Sequence, residues 1–344
     1  MNILKIGLLG AGRIGMVHAS TIAYRVPSAQ LVAVADVNEA AAKACAEKYR
    51  IPQSSSDPYR IINDPDIDAL LICTSTDTHT PLLKAAAMAG KHIFCEKPVA
   101  MTLSDVDAAL DTVAKAGVQL QVGFNRRFDP NFLRIKQAII QGQIGQPHII
   151  HIISRDPAPP PIAYIKVSGG IFIDMAIHDF DMARFLTGSE VEEVYVQADV
   201  KIDPAIGEAG DVDTAVTLLR FANGMIGTID NSRKAVYGYD QRVEVFGSGG
   251  AVNADNNYPN NTTLSTASAV QRDLPLNFFM QRYTEAYAQE IEQFANAITN
   301  KQPVPVTGHD GRMAFVIALA AKKSWTEKRP VKIAEIGSQS SKSS

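Results

Sequence analysis

Residues 4 to 15 read "LKIGLLGAGRIG", a short apolar run that ends in three glycines spaced G-x-G-x-x-G. An apolar run without strict alternation suits a strand buried on both faces, and the glycines then close a turn from that strand into a helix. Gly10 permits the tight turn, Gly12 lets a pyrophosphate approach the backbone, and Gly15 allows close helix packing. The N–H groups that open the helix, at Arg13 and Ile14, then face the phosphates. Glycines close many such turns, so the motif alone is weak. The next apolar run strengthens it: "QLVAVAD" ends at Asp36, 21 residues beyond Gly15. An acid there holds the ribose 2′-hydroxyl and repels a 2′-phosphate, so the pattern predicts NAD rather than NADP.

Further runs extend the rhythm outward. "IDALLICT", "KHIFCEK" and "VQLQVGF" alternate with helix-like stretches such as "EAAAKACAEKYR" and "LSDVDAALDTVAKAG". Residues 1–124 therefore read as an α/β Rossmann domain, a doubly wound parallel sheet covered by helices. After Phe124 the rhythm changes. "VTLLRFANGMIGTIDNS" places two strand-like runs around Asn223-Gly224, and "QRVEVFGSGGAVNAD" suggests a second hairpin around Gly247 to Gly250. Residues 125–337 are expected to form an α+β domain for substrate binding and oligomerisation, with a large open, mostly antiparallel sheet. "RYTEAYAQEIEQFANAITN" and "DGRMAFVIALAAKKSWTEK" keep helical spacing, and the tail 338–344, "SQSSKSS", is expected to be disordered.

Composition excludes several classes. The chain has 344 residues, 46% of them hydrophobic and 20% charged, which suits a soluble protein of two domains. The net charge of -3 offers no basic surface for nucleic acid. No apolar run approaches the ~18 residues that span a bilayer. Residues 1 to 9 lack a charged n-region and a cleavage site, so the expected compartment is the cytoplasm. Cys45, Cys73 and Cys95 form no C-x-x-C pair and read as buried thiols.

Two motifs follow later strands, where open parallel sheets form their ligand crevice. "CTSTDTH", residues 73 to 79, offers Thr74, Ser75, Thr76 and His79 for cofactor contact, with Asp77 or Thr78 expected to cap the following helix. "CEKP", residues 95 to 98, brings Glu96 and Lys97 to the same crevice, and Pro98 holds Lys97 extended at the strand end. Farther on, "FIDMAIHDFD", residues 172 to 181, sets three acids and a histidine in an apolar stretch. On one helix Asp174, His178 and Asp181 share a face, while Asp179, turned by about 100°, reads as a structural or solvated acid. A zinc site commonly needs three or four ligands, and the sequence supplies no His or Cys pair to complete one, so proton transfer is the favoured reading and no metal is expected. An ordinary i,i+4 helix pair would serve if this helix stood alone.

These motifs together resemble the glucose-fructose oxidoreductase (Gfo/Idh/MocA) family of NAD(P)-dependent dehydrogenases, over nearly the whole chain. Within it, "VGFNRRFDP", the stretch 154 to 186 and "YGYDQRVEVFGSGGAV" are similar to members that oxidise inositols. The resemblance implies catalytic roles for Lys97, Asp174 and His178, and polyol contacts for Arg127, Asp156, Asp181 and Tyr237. It implies oxidation of myo-inositol to scyllo-inosose with NAD, by a homotetramer whose second-domain sheets pair face to face. scyllo-Inositol, D-chiro-inositol and an aldose are the rival substrates, and a non-enzymatic NAD-binding sensor is the rival class. A sensor has no need of Lys97, Asp174 and His178. Either His178 or Lys97 can serve as the proton acceptor. Arg126 is expected to be a surface charge. Lys166 lies in "DPAPPPIAYIK", whose prolines make an ordinary helix unexpected there.

Overall fold

The computed structural model describes residues 3–337. By compactness the chain divides into two units, Met1–Phe128 with Thr284–Met313, and Asp129–Tyr283 with Ala314–Ser344. The segment 284–313, read from sequence as part of the second domain, thus packs with the first. The reason is its apolar stripe: in the helix Thr284–Thr299, Tyr287, Ile291, Phe294 and Ala295 are buried, and Ile291, Phe294 and Ala295 join the cluster around Leu4, Ile6 and Phe94. Sequence spacing gives the stripe but not the surface that covers it. The predicted tail lies outside the described residues.

Among the described residues the first unit holds six strands: β1 (Leu4–Leu9), β2 (Ala29–Ala35), β3 (Gln53–Ser55), β4 (Ala69–Ile72), β5 (His92–Glu96) and β6 (Leu120–Gly123). Their order is β3-β2-β1-β4-β5-β6, and every pairing is parallel. This is the doubly wound arrangement that reverses direction beside β1. β4 is buried at every position, as continuous apolar runs require. β3 is a short polar edge strand with no apolar signal, and the sequence reading omits it.

The second unit is built on β7 (Pro147–Arg155), β8 (Val191–Asp199), β9 (Thr214–Phe221), β10 (Ile226–Ser232), β11 (Asp240–Gly247) and β12 (Gly250–Ala254). A two-stranded ribbon, β13 (Leu264–Ser265) with β14 (Val270–Gln271), precedes β15 (Val331–Lys332). The large sheet runs β12-β11-β7-β10-β9-β8-β15, antiparallel except where β10 lies parallel to β7. Both expected hairpins form, the first turning through Gly224 at φ 86° and the second pairing Gly247 with Gly250. β9 alternates buried and exposed residues along its length. One face of this sheet is therefore core, while Val216, Leu218, Ile226 and Phe246 are exposed. Among the described residues no helix is long and apolar enough to cross a membrane.

Candidate active site

In the first unit the three glycines do different work. Gly10 has φ 97°, and a Cβ there would lie 2.6 Å from the Cys73 carbonyl oxygen. A Cβ on Gly15 would overlap the Gly10 carbonyl oxygen, whereas one on Gly12 would meet nothing within 4 Å. Two glycines are thus required by the protein's own packing, and the third leaves space. Gly12 caps the helix Arg13–Arg25 without a side-chain hydrogen bond, so the first N–H groups of that helix have no side-chain cap, as a phosphate site requires. Gly12 and Arg13 are exposed and Ile14 is half-buried. At the end of β2, Asp36 accepts the Ala11 N–H at 2.7 Å and the Asn38 N–H at 2.9 Å. Each carboxylate oxygen keeps a second lone pair for a ribose hydroxyl. These residues fit a dinucleotide.

Beyond β4, the helix Thr76–Met88 begins two residues earlier than a cap at Asp77 allows, and three earlier than one at Thr78. Ser75 is its N-cap, without a side-chain hydrogen bond, and the Thr78 hydroxyl lies 2.6 Å from Thr74 Oγ1 and 2.7 Å from the Ser75 carbonyl, with one proton to give to either. Thr74 and Thr76 are half-buried and Ser75 is exposed. His79 is buried, with Nδ1 2.9 Å from the Pro98 carbonyl and Nε2 3.1 Å from the Thr74 carbonyl. Burial holds its pKa below the ordinary imidazole value against those hydrogen bonds, so the neutral ring donates only one of the two. The ring lies between the Thr74 carbonyl and the Lys97-Pro98 turn, whose peptide bond is cis. Lys97 is half-buried there.

Sequence reading overlooks what stands behind Lys97. Glu96 is buried, and its Oε1 is hydrogen-bonded to His18 Nε2 at 2.6 Å. The His18 ring lies edge-on to Phe94 and Tyr287, 5.2 and 5.5 Å between centroids. Gly123, opposite Glu96 on β6, makes the room: a Cβ there would come within 2.9 Å of Glu96 Oε2. Arg126 and Arg127 lie in a single 3-10 turn, Asn125–Phe128, and both are buried. The expectation of an exposed Arg126 is thus corrected, since the turn directs both arginines inward. Arg127 donates to Asp310 at 3.0 Å. Burial alone would raise the Asp310 carboxyl, but the Arg127 guanidinium and the Thr307 N–H and hydroxyl bring its pKa down to about 2.

In the second unit the stretch "FIDMAIHDFD" is two helices, Ile171–Asp174 and Ile177–Thr187. The Ala176 N–H reaches back to the Ile171 carbonyl at 2.8 Å and the chain restarts at Ala176. The single-helix expectation is therefore corrected, with the break between Asp174 and His178. What it produces is a pattern of exposure: from Ile171 to Arg184, every residue is buried except Asp174 and His178, which are half-buried. Asp174 accepts from the Tyr164 hydroxyl at 2.9 Å and from Arg233 at 3.4 Å. Asp179 is fully buried and accepts from Asn231 at 2.8 Å, so of the two expected readings, structural or solvated, burial selects the structural one. Asp181 is buried too.

Tyr164 itself was hidden by its neighbours. The prolines end at Pro161, which caps the helix Ile162–Ser168. The expectation of no helix is corrected because proline bars the interior of a helix but not its approach. Lys166, on this helix, is exposed. Asp156 is half-buried, its N–H on the Ser232 carbonyl at 2.9 Å and its own carbonyl accepting from Ala235 at 2.6 Å. Tyr237 donates to the buried Asp240 at 2.6 Å and accepts from Arg155 at 3.1 Å; Arg155 also pairs with Asp230. Burial and the Asp240 charge raise the Tyr237 phenol. Cys45, Cys73 and Cys95 are free, buried thiols.

Comparison with known proteins is consistent over both units. Residues 4–124 match the family model described as "Oxidoreductase family, NAD-binding Rossmann fold", and residues 132–253 match "GFO/IDH/MocA C-terminal domain". The chain is 49% identical over 333 residues to the myo-inositol 2-dehydrogenase of Thermotoga maritima, covering 97% of this chain and 99% of that protein. It is 50% identical over 331 residues to the inositol 2-dehydrogenase of Rhizobium meliloti, covering 96% and 99%. The crystal structure of a probable dehydrogenase from Thermotoga maritima has a TM-score of 0.95 at 50% identity, covering 97% of this chain and all of that one (100%). That of scyllo-inositol dehydrogenase from Lactobacillus casei with bound NAD(H) and scyllo-inositol has a TM-score of 0.90 at 29% identity, covering 97% and 100%.

Proposed function

From the premise that the chain belongs to the Gfo/Idh/MocA oxidoreductase family, we propose that it is an NAD-dependent inositol 2-dehydrogenase oxidising myo-inositol to scyllo-inosose. The observation that carries this reading is the pair Asp174 and His178, alone half-open in a buried stretch, on a chain 49% identical along its length to a myo-inositol 2-dehydrogenase.

NAD, when bound, supplies the hydride acceptor. His178 accepts the proton of the hydroxyl being oxidised, a task suited to an imidazole near neutral pH. Asp174 orients the ring and stabilises its cation. Lys97 hydrogen-bonds the reacting oxygen and stabilises developing alkoxide charge. The remaining hydroxyls each give and accept a hydrogen bond, and Arg127, Asp156, Asp181 and Tyr237 supply matching donors and acceptors. On the nucleotide side Gly10, Gly12, Arg13, Ile14 and Asp36 hold the phosphates and ribose, with Thr74, Ser75, Thr76, His79, Glu96 and Lys97 along the rest of the cofactor.

The exposed apolar residues Val216, Leu218, Ile226 and Phe246 on one sheet face support pairing of that face in a homotetramer. A cytoplasmic role in myo-inositol catabolism accords with the reaction. The scyllo-inositol seen in a structural neighbour makes that isomer the rival substrate.

The test is NADH absorbance with a panel of inositols and aldoses. myo-Inositol should give the highest kcat/KM; silence with every substrate overturns the enzyme. His178→Ala should lower kcat by about 10²–10⁴, as removal of a general base does, with NAD affinity little changed. Retained turnover overturns the assignment of His178.

A further inference from the structure

Arg233 has no place in the chemistry above, yet it is fully buried, at 0% exposure. It follows β10, and its N–H is held by the Asp213 carbonyl at 2.9 Å. Its guanidinium reaches Asp174 Oδ2 at 3.4 Å with one nitrogen and Asp211 Oδ2 at 3.5 Å with another. Asp211 in turn accepts the Ile171 N–H, at 3.0 and 3.1 Å from its two oxygens. That N–H opens the short helix whose last residue is Asp174. Gly170 makes this approach possible, since a Cβ there would lie 2.6 Å from Asp211 Oδ1. Arg233 therefore spans the short helix, fastened through Asp211 to its start and directly to its final carboxylate.

Stability is a poor reason for such a residue. Taking a guanidinium and two carboxylates out of water carries a desolvation cost that their attraction only partly offsets, and apolar replacements are often as stable. What a guanidinium gives that an apolar side chain cannot is a permanent charge and a rigid fork that fixes two carboxylates in one plane. Tyr164 approaches Asp174 Oδ1 while Arg233 takes Oδ2, so both oxygens, and hence the carboxylate plane, are fixed. A carboxylate whose task is to orient an imidazole needs that constraint, because a small misplacement of a catalytic group costs up to about a hundredfold in rate.

We propose that Arg233 is a positioning residue of the dehydrogenase, fixing the Asp174 carboxylate from behind through a fork shared with Asp211. The proposal rests on the assignment of Asp174 and His178 to proton transfer. Arg233→Lys is the informative variant, since it keeps the charge and the fold but not the fork. It should lower kcat by roughly 10- to 100-fold, while KM for NAD and the NADH affinity read by fluorescence titration stay at wild-type values. Asp174→Asn should lower kcat as well, and Arg233→Lys added to Asp174→Asn should cause no further loss. That non-additivity separates positioning from a structural role, in which the two losses multiply. Wild-type kcat in Arg233→Lys, or multiplied losses in the double variant, overturns the proposal. Wild-type kcat in Asp174→Asn overturns the reading of Asp174 beneath it, and does so independently of Arg233.

Discussion

The glycine turn after β1 and the helices that carry Asp174 and His178 are built by opposite means. Around Gly10 to Gly15 the working groups are backbone N–H groups and empty space, and the chief side chain, Asp36, lies 25 residues from its partner Ala11. Around Asp174 the working groups are side chains, held by Tyr164 on another helix and by Arg233, 59 residues away. A site made of backbone is encoded where it stands, since only glycine gives the required φ and clearance. A site made of side chains depends on partners that no spacing rule connects.

The largest effect expected is at the first site and divides its glycines. Gly15→Ala puts a methyl into the Gly10 carbonyl oxygen, and since backbone cannot yield as a side chain does, the loss should be about 3 kcal/mol or more. Gly12→Ala meets open space, so its melting temperature should equal the wild type's. NAD affinity of Gly12→Ala should nevertheless fall by about tenfold or more, the factor carried by ~1.4 kcal/mol. Melting curves with and without NAD check both. If Gly12→Ala unfolds the protein, or Gly15→Ala does not, the glycines are not divided between packing and ligand, and the contrast with the second site is broken.

The same contrast explains what could be read in advance. The parallel sheet, both hairpins and the glycine turn with Asp36 follow from runs and turn residues that act locally, whereas the polar edge strand β3 and its place in the strand order carry no local signal. Asp174 and His178 were visible as an i,i+4 pair, but the break after Asp174 was not, because "IDMAIH" contains neither proline nor glycine. Tyr164 was obscured by the prolines before it. Arg233, in "NSRKAV", has no local signal, and only a search for a buried cation near two acids finds it. His18 and Glu290 sit in amphipathic helices at positions that spacing assigns to apolar packing.

A middle-sized effect tests a side-chain pair inside the backbone-built unit. The Arg127–Asp310 pair, with Thr307, draws the Asp310 carboxyl from its ordinary 3.8 to about 2. A depressed carboxyl stabilises the fold above its unfolded pKa, and that contribution is lost as pH falls through the folded value. Asp310→Asn should therefore be less stable than wild type at neutral pH, on the order of 1 kcal/mol after allowing for solvent screening. The gap should close between about pH 4 and pH 2, within the window set by those values. Denaturant melts across that range check it. A gap independent of pH would mean that the asparagine disturbs packing rather than charge, and that side-chain pairing matters little to this unit.

The smallest effect has the opposite sign and comes from Glu290, buried in the same unit at 0% exposure. Gln121 donates to the Glu290 backbone carbonyl at 3.1 Å, and neither oxygen of the Glu290 side chain has a hydrogen-bond partner among the described residues. Burial first, and the Glu96 charge second, push its pKa well above the ordinary 4.5. Folded, it holds its proton to a higher pH than the unfolded chain, which releases it above about pH 4.5. Between those two values the folded state binds the extra proton, so stability falls as pH rises. Glutamine has the same shape and no proton to lose. Glu290→Gln should therefore gain on wild type as pH rises above about 4.5, read as a widening difference in melting temperature, with turnover unchanged. A constant difference would mean that Glu290 ionises alike in both states. The pH response of the nucleotide unit would then rest on lowered acids such as Asp310 in its pair with Arg127.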